Sequence, residues 1–504
     1  MTTRHPRTVA AVDLGAESGR VAAVGYDGAR LRLDVVHRFP HTTRIEDGIL
    51  RWDLPTLWSG VEDGLERLDA GDRRIDAVGV DAWGVDYGLL GDHGLVDTPT
   101  CYRDARNVRA MKAALARLGR TELYDATGVQ IIPINTLFSL YSDVHEHPAR
   151  VEAARSMLMM PDVFHHLLSG SAVTEYTAAS TTGALDMRTG TWAWELLDRL
   201  EIPRRLMPEV VAPGTDVGPV RGPYRGALAG ARVVLPPAHD TASAVVGTPF
   251  RAPGEMFVSS GTWSLVGVES PRAVISEASR RANLTNEGGY AGRIRLLRNV
   301  MGLWILQNCR RQWAAEGLDL DYADIAALAA EEPGLVSIVN PDAEEFLAPG
   351  DLPGRVRDYC RRTSQPVPES VGAVARCVID SLALGYRSVA RDVAEVTGTP
   401  PPAVAIVGGG ASHRLLSQLT ADATGLPVRC GPVEATALGN AAVQLAALGE
   451  LSGLDDVRRV IAASTRLDDY EPRVQHDWDE AGVLFDRLVA ADQAAAGLAA
   501  ATGG

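Results

Sequence analysis

The chain of 504 residues has 46% hydrophobic and 22% charged residues, and its formal net charge is -15 at pH 7. A chain of this length exceeds the usual size of one hydrophobic core, so we expect two large domains. The acidic balance argues against nucleic acid or an anionic membrane as the main partner, because both attract basic patches.

Neither a targeting segment nor a membrane span is expected. No apolar stretch of signal-peptide type follows the first residues, and no run of about 18 apolar residues occurs. We therefore expect a cytoplasmic protein, either a monomer or a homodimer. Five cysteines occur, without a Cys-x-x-Cys pair or a zinc-type spacing. Cys360 and Cys377 could meet, but free thiols are expected in the cytosol.

The first informative stretch is a candidate hairpin near the start. An apolar run leads into Asp13, Gly15, Ser18 and Gly19, and Arg20 precedes a second apolar run. This pattern predicts strand, tight polar turn and strand. Such a turn can gather backbone N–H groups into a phosphate-binding nest, and a carboxylate beside it would need a cation in between. A metal–polyphosphate site and an ordinary hairpin with glycines at positive φ both stay open.

A second informative stretch follows a predicted helix that begins after Asp53. A buried strand over residues 77–80 ends at Asp81, Trp83 and Gly84, and another strand is predicted over 85–90. Ligands of α/β proteins bind at the carboxyl ends of such strands. The alternative is that Trp83 belongs to the core and Gly84 forms a bulge.

Two further stretches carry polar groups suited to a small polar ligand. Gln130 and Asn135 could bind sugar hydroxyls or be satisfied loop amides. A strand from residue 233 runs into His239, Asp240 and Thr241, where a helix of small residues begins. An ionised carboxylate at this junction is suited to accept a proton from a hydroxyl. Plain helix capping by Asp240 or Thr241 is the alternative.

The second half of the chain begins with a stretch similar to the opening one. Residues 255–269 again show an apolar run, a small polar turn and an apolar run, which suggests two copies of one domain that face each other. Residues 298–308 are predicted to start an amphipathic helix with Asn299 and Gln307 as polar positions. A helix is predicted over 370–397, capped by Gly398, and the Ala-rich tail over 490–504 is expected to fray.

The lysine content excludes several kinds of ATP site and catalysis. The chain contains one lysine, Lys112, in a helical and glycine-poor context. A Walker A loop ends in Gly-Lys-Ser/Thr, a protein-kinase fold needs a strand lysine, and Schiff-base chemistry needs a desolvated lysine. If this protein uses ATP, it does so through another architecture.

Taken together, these stretches resemble the FGGY carbohydrate kinases, which have the actin-like ATPase fold. The resemblance covers nearly the whole chain, and although each motif is short, the set is highly specific. It is carried by AVDLGAESGR (11–20), DAWGVD (81–86), YRDAR (102–106), AHDTASA (238–244), SSGTWS (259–264), NVMGLW (299–304), GGG (408–410) and GPVEAT (431–436).

The resemblance implies an α/β fold with two actin-like (ribonuclease H-like) domains, 1–247 and 248–504, facing a central cleft. It implies that Asp240 is the catalytic proton acceptor and that Asp13 lies near Mg²⁺. The implied ATP contacts are Ala16, Glu17, Ser18, Gly19, Arg20, Thr262, Gln307, Gly409 and Gly410. The implied positions around the substrate are Gly84, His239, Asp240, Thr241 and Asn299. Glu17 stands where related kinases have a small hydroxyl residue, so its role is unexplained.

The resemblance further implies Mg-ATP-dependent phosphorylation of L-rhamnulose at its 1-hydroxyl. The alternatives are a kinase for another ketose or polyol, such as L-fuculose or L-xylulose, and a non-catalytic ATP-binding sugar sensor. A DNA-binding repressor is disfavoured, because neither end carries a basic helix-turn-helix.

Overall fold

The computed structural model describes residues 7–473 and 477–502, without the side chains of 496–502. The first six residues, which bear on the targeting prediction, and the last two of the Ala-rich tail lie outside this part. Among the described residues, no helix is both long and apolar enough to cross a membrane.

Up to residue 250 the strands are β1 (Arg7–Leu14), β2 (Ser18–Tyr26), β3 (Leu31–Pro40), β4 (Thr43–Glu46), β5 (Ile49–Trp52), β6 (Ala77–Ala82), β7 (Tyr87–Gly91), β8 (Gly94–Leu95), β9 (Ser156–Met159), β10 (Thr174–Glu175), β11 (Leu185–Asp186), β12 (Thr191–Trp192), β13 (Val210–Val211), β14 (Asp216–Pro219) and β15 (Arg232–Val234). The helices there are α1 (Leu54–Asp69), α2 (Arg106–Leu118), α3 (Arg120–Thr127), α4 (Thr136–Glu146), α5 (Pro148–Ala153), α6 (Met160–Ser169), α7 (Tyr176–Ala179), α8 (Trp194–Arg199) and α9 (Asp240–Val246).

Beyond residue 250 the strands are β16 (Met256–Ser260), β17 (Trp263–Ser270), β18 (Thr285–Gly288), β19 (Ile294–Met301), β20 (Val404–Val407), β21 (Val428–Cys430) and β22 (Asp468–Tyr470). The helices there are α10 (Glu277–Arg281), α11 (Trp304–Ala315), α12 (Tyr322–Glu331), α13 (Leu352–Arg362), α14 (Val371–Thr397), α15 (Arg414–Thr424), α16 (Ala435–Ala447), α17 (Leu454–Ser464) and α18 (Asp477–Thr502).

The chain forms two compact units, and neither is continuous in sequence. Unit 1 comprises the described residues of Met1–Phe250, Glu269–Leu296 and Glu434–Arg466, and unit 2 comprises those of Arg251–Val268, Leu297–Val433 and Leu467–Gly504. The first break lies close to the predicted boundary at 247/248. The two later segments of unit 1 differ from the predicted continuous domain, because α16 packs against α9 and β1 rather than against the elements beside it in sequence.

The sheet of unit 1 is built on the predicted opening hairpin. Its strand order is β14-β15-β6-β1-β2-β3. The strands β1 and β2 are antiparallel, whereas β1 and β6 are parallel, so Asp13 lies opposite both Arg20 and Asp81. The apolar residues of β1 and β6 are buried on both faces, which is typical of central strands covered by helices.

Unit 2 repeats this local arrangement. The strands β16 and β17 form an antiparallel hairpin, and β16 pairs in parallel with β20, which pairs in parallel with β21. The predicted internal repeat of hairpins is therefore present in the backbone. The helix α14 begins after the N-cap Ser370 and ends at Gly398 in a left-handed conformation, as predicted.

One predicted element is wrong. Asn299 lies in strand β19 rather than in an amphipathic helix, and the helix α11 that carries Gln307 begins only at Trp304. The reason is Gly302, where an added Cβ would lie 2.6 Å from the backbone carbon of Trp263 and would clash. This close approach of two backbone segments ends the strand and fixes the start of the helix.

Two glycines bring the helices α9 and α16 of unit 1 into backbone contact. A Cβ added at Gly439 would lie 1.9 Å from the carbonyl oxygen of Ser243, and one at Gly247 would lie 2.0 Å from that of Ala435. Both contacts are with rigid backbone, so the helices would have to separate to admit a methyl group. Helix propensity favours alanine over glycine by about 1 kcal/mol, but the packing of these helices opposes it.

We predict that Gly439→Ala lowers the free energy of unfolding by about 1–3 kcal/mol because of overpacking. The urea midpoint of unfolding should fall accordingly. The matched control is Gly385→Ala in α14, where an added Cβ would meet only Val300 at 3.6 Å and Phe485 at 4.0 Å. That substitution should leave the midpoint unchanged or raise it. Circular dichroism at increasing urea measures both, and equal shifts of the two variants would contradict the packing argument.

Candidate active site

Two buried carboxylates lie side by side at the carboxyl ends of β1 and β6. Asp13 and Asp81 occupy paired positions of these parallel strands, and their residues are 2% and 0% exposed. Asp13 Oδ2 lies 3.4 Å from Nε of Arg20, and Asp81 Oδ2 accepts a 2.6 Å hydrogen bond from Asn440 Nδ2 of α16. The pair is therefore placed where α/β sheets bind ligands, with few groups to offset its charge.

Burial dominates the electrostatics of this pair. It raises the pKa of Asp13 to about 6, although Arg20 opposes the shift and Asp240 adds to it. Burial and then the charge of Asp13 raise the pKa of Asp81 well above its usual value. Asp81 Oδ1 has no hydrogen-bond partner among the described residues. The site therefore favours a proton or a cation close to these oxygens.

The turn after β1 is not built on glycines at positive φ. Neither Gly15 nor Gly19 is among the glycines with positive φ, so that alternative is not supported. Gly19 is needed for packing instead, since an added Cβ would lie 2.3 Å from Cζ of Phe39. Ser18 is exposed, whereas Ala16 and Glu17 are half-buried. The small residues of the turn leave its backbone accessible, as a phosphate-binding loop requires.

Arg20 is shared between two carboxylates of unit 1. Besides Asp13, its Nη1 donates to Glu434 Oε2 at 2.6 Å, and Arg38 Nη2 donates to the other oxygen of Glu434 at 2.5 Å. The carboxylates of Asp13 and Glu434 raise the pKa of Arg20 above its ordinary value. Arg20 is therefore a permanently charged group beside the turn, and its guanidinium is suited to phosphate oxygens.

Asp240 is the first residue of α9, and its two carboxylate oxygens differ in environment. Oδ1 accepts from Thr241 N at 2.5 Å and from Thr241 Oγ1 at 3.2 Å, and it lies 3.4 Å from Nε2 of His239. Within the described part of the chain, Oδ2 accepts no hydrogen bond. His239, not Asp240 or Thr241, is the N-cap, and its side chain makes no capping bond. Neither Asp240 nor Thr241 thus occupies the N-cap position, although Asp240 Oδ1 accepts the N–H of Thr241 in the first turn of α9.

A strained turn lies beside His239. Ala82 at the end of β6 forms a bridge with His239. Three residues after Ala82, Val85 has a φ of 68°, a left-handed conformation that a β-branched residue rarely adopts. Its N–H donates to Thr181 Oγ1 at 3.0 Å, and its carbonyl accepts from Thr136 Oγ1 at 2.5 Å. Such strain is typical of functional sites.

Gly84 has little free space around its Cα. A Cβ added there would lie 3.0 Å from Cγ2 of Thr181 and 3.2 Å from Nε2 of His239. The predicted positions Gly84, His239, Asp240 and Thr241 are thus brought together within unit 1, and Gly84 is a close-approach turn rather than a bulge inside a strand.

An aromatic cluster adjoins this turn. The indole N–H groups of Trp52 and Trp83 both donate to Asp86 Oδ2, at 2.6 and 2.8 Å. The ring of His41 lies 5.4 Å from that of Trp83, and its Nε2 lies 2.7 Å from the carbonyl oxygen of Gly15. Burial raises the pKa of Asp86 to about 7 and lowers the pKa of His41. All four residues are at most 6% exposed, so the cluster is packed into the interior beside the opening turn.

The predicted amides Gln130 and Asn135 are both buried. Asn135 Nδ2 donates to the carbonyl of Gln130 at 2.9 Å. For Asn135 the structure therefore favours the alternative of a hydrogen-bonded loop amide over that of a sugar contact.

Unit 2 holds the remaining predicted positions around its own hairpin. The carbonyl of Thr262 accepts from the N–H groups of Gly302 and Trp304, each at 3.2 Å. Gln307 Oε1 is buried without a hydrogen-bond partner in the described residues. A Cβ added at Gly410 would lie 1.9 Å from Ser260 Oγ, whereas one at Gly409 would meet nothing within 4 Å. Gly410 is therefore needed for packing, and Gly409 offers open backbone.

Family models and known proteins agree on what the chain is similar to. Residues 8–247 match the N-terminal domain, and residues 256–448 match the C-terminal domain, of the FGGY family of carbohydrate kinases. The protein belongs to the FGGY family. Its relatives include a protein named rhamnulokinase from Pectobacterium atrosepticum, 41% identical over 94% of both chains. Another of that name, from Bacteroides thetaiotaomicron, is 38% identical over 95% of this chain and 99% of its own.

Solved structures bear on the fold of this FGGY kinase. A ligand-bound xylulose kinase from Lactobacillus acidophilus has a TM-score of 0.77 at 18% identity, covering 98% of this chain and 99% of its own. A glycerol kinase from Plasmodium falciparum solved with ADP has a TM-score of 0.75 at 13% identity, covering 96% and 98%. The fold is thus the two-domain α/β fold of the sugar kinases, actin-like and ribonuclease H-like, and the protein is a carbohydrate kinase.

Several residues of this FGGY kinase site escaped the sequence analysis. His41 and Asp86 bind the opening turn and the two indoles, and Glu287 and Arg295 contact His239. Asp86 lies inside the motif 81–86 but had no role assigned, and the other three do not follow an apolar run that ends in glycine. Arg295 stands within the strand β19, where a charged residue flanked by Ile294 and Leu296 is a signal of a buried ion pair.

The pH dependence of stability at Asp86 is testable. A pKa raised from 3.8 to about 7 means that the folded state binds the proton more tightly than the unfolded state. Its stabilising contribution is therefore lost as pH rises from about 4 to 7, by roughly 4 kcal/mol. Asp86→Asn keeps an acceptor for the two indoles without the charge. We predict that its urea midpoint, relative to wild type, increases between pH 5 and pH 8. A difference that stays constant over this range would contradict the buried-charge argument.

Proposed function

We propose that this kinase transfers the γ-phosphoryl group of ATP to the 1-hydroxyl of L-rhamnulose, giving L-rhamnulose 1-phosphate and ADP. The observation that carries the proposal is the carboxylate of Asp240, which lies at the strand-to-helix junction beside the buried acids of β1 and β6. Full-length similarity to proteins named rhamnulokinase supports the choice of sugar.

Asp240 is the proton acceptor in this proposal. Its Oδ1 is fixed by Thr241, so Oδ2 is the oxygen available to a substrate hydroxyl. Phosphoryl transfer depends mainly on positioning and charge stabilisation. A carboxylate held in one orientation removes the hydroxyl proton as the O–P bond forms, and this general-base contribution is worth about 10²–10⁴ in rate.

The nucleotide is proposed to bind both hairpins. In unit 1, Ala16, Glu17, Ser18, Gly19 and Arg20 would contact the phosphates through accessible backbone and a guanidinium. In unit 2, the proposed contacts are Thr262, Gln307, Gly409 and Gly410. Two features support the latter set, namely the unpartnered Gln307 Oε1 and the open backbone of Gly409.

Mg²⁺ fits the donor set at the end of β1. No group of three or more His, Cys, Asp or Glu side chains in the described part of the chain forms a metal site. Mg²⁺, however, needs only one or two carboxylates, because water and phosphate oxygens complete its coordination. Asp13 is the proposed carboxylate, beside the unpartnered Oδ1 of Asp81. The ion supplies charge neutralisation of the polyphosphate.

The sugar is proposed to bind beside the strained turn. Gly84, His239 and Thr241 would surround it in unit 1, and Asn299 is the proposed contact from unit 2. His41 Nδ1 is buried and has no hydrogen-bond partner within the described residues, which makes it an acceptor for a hydroxyl. Trp83 is the proposed apolar surface for the methyl group of the 6-deoxy sugar.

We predict that Asp240→Asn lowers kcat by about 10²–10⁴, because the amide keeps the shape of the carboxylate without its basicity. ADP release with L-rhamnulose and Mg-ATP measures the loss, and chromatography detects the phosphosugar. The control is Asp72→Asn, on an exposed loop, which should retain wild-type turnover. Near-normal turnover of a folded Asp240→Asn variant would contradict the assignment.

We also predict that kcat/KM is higher for L-rhamnulose than for L-xylulose, by about 10–200-fold, because L-xylulose lacks the methyl group that a fitted apolar pocket would hold. L-Fuculose carries the same methyl group and differs in the configuration at C4, so its lower kcat/KM would reflect hydroxyl recognition instead. A panel of ketoses and polyols, assayed for both ADP and phosphosugar, measures it. A different preferred sugar would identify another kinase of this family. ATP and sugar binding without any phosphosugar would favour the sensor alternative.

A further inference from the structure

His239 lies between the proposed base and a buried ion pair of unit 1. On one side, its Nε2 is 3.4 Å from Oδ1 of Asp240. On the other side, its Nδ1 is 3.1 Å from Nη2 of Arg295 and 3.3 Å from Oε2 of Glu287. Arg295 and Glu287 are themselves paired at 3.1 Å. The three side chains thus form a continuous chain of contacts that ends at Asp240.

The contacts of Nδ1 decide which ring nitrogen of His239 carries the proton. A guanidinium has only donors, so Arg295 Nη2 must donate to Nδ1, and Nδ1 must be the unprotonated nitrogen. Glu287 Oε2 also lies 3.3 Å from Nδ1, and it is paired with the same Arg295 Nη2 at 3.1 Å. With Arg295 as the donor to Nδ1, the ring proton is carried on Nε2, the nitrogen that faces Asp240.

Arg295 is itself held in one place. Its side chain is fully buried, and its Nε donates to the carbonyl of Gly288 at 2.8 Å. Gly288 ends strand β18 and Arg295 stands in β19, so the guanidinium is fixed by regular backbone. A buried charge is retained only when it is paired and hydrogen-bonded, and here the pairing also sets the orientation of the imidazole.

We propose that His239 is a positioning residue, which is locked as the Nε2–H tautomer by Arg295, itself paired with Glu287, and donates to Oδ1 of Asp240. Together with Thr241, it holds Oδ1 so that Oδ2 is presented to the hydroxyl that is phosphorylated. This inference rests on the proposed function, since it assigns His239 a role in orienting the base. It differs from the implied role of His239 as a contact for the sugar alone.

The kinetic test compares two substitutions at His239. His239→Ala removes the donor, whereas His239→Gln carries an amide N–H₂ close to the position of Nε2. We expect His239→Ala to lower kcat about 10²-fold through misplacement of the base, with KM for ATP unchanged. His239→Gln should recover at least tenfold of that loss. The matched control is His145→Ala, at a part-exposed histidine that contacts the Leu200 carbonyl, and it should keep the wild-type kcat.

A second measurement does not depend on activity. Nitrogen-15 NMR of histidine-labelled protein reports the protonation of each ring nitrogen, and the His239→Ala spectrum assigns the signals. We expect an unprotonated Nδ1 and a protonated Nε2 in wild type, and a mixture of tautomers in Arg295→Gln. A protonated Nδ1 in wild type would overturn the proposal even if the sugar is phosphorylated.

The kinetic outcomes separate this inference from the proposed function. Equal kcat values for His239→Ala and His239→Gln, or a loss confined to KM for the sugar, would overturn the positioning role while leaving the kinase assignment intact. Failure of the wild-type protein to phosphorylate L-rhamnulose would instead overturn the proposed substrate. In that case the NMR result would still test the tautomer and its lock.

Discussion

The close placement of two buried carboxylates at the carboxyl ends of β1 and β6 is the constraint on which the rest of the site depends. Parallel pairing puts Asp13 beside Asp81, and both are almost fully buried. Arg20 offsets part of this charge, but it is shared with Glu434. Carboxylates so placed hold protons more tightly or recruit a cation. A cation that carries a bound polyanion would offset the negative charge of these carboxylates, as a proton does.

Sheet register brings together residues that are distant in sequence. Asp13 and Asp81 meet because of the parallel pairing of β1 with β6, and the bridge between Ala82 and His239 puts Asp240 at the same edge. The helix α16 then supplies Asn440 from much later in the chain. Its close packing on α9 is needed for this, because a hydrogen bond of 2.6 Å tolerates little displacement of the helix.

Local patterns predicted the parts of the site that depend on local structure. Apolar runs that end in polar residues and glycine identified Asp13 and Asp81 at strand ends, where the structure places them, and Asp240 at a helix start, where it begins α9. Asn299 was assigned to a helix, because the close backbone approach at Gly302, just after β19, is to Trp263, which is remote in sequence. The partners of His239 were missed for the same reason. Glu287 and Arg295 lie on other strands, and the apolar neighbours of Arg295 indicate a buried ion pair without identifying its partners.

The two sides of the site in unit 1 differ in their electrostatic character. On the side of the opening turn, full charges such as Asp13 and Arg20 are closely spaced, which suits a charged phosphate. On the side of the aromatic cluster, burial raises the pKa of Asp86 to about 7, and His41 is kept neutral by a lowered pKa. Dipoles and apolar rings suit a neutral sugar, and the carboxylate of Asp240 is then the charged group proposed to face its reacting hydroxyl. His41, which contacts both Gly15 and Trp83, couples the geometry of the two sides.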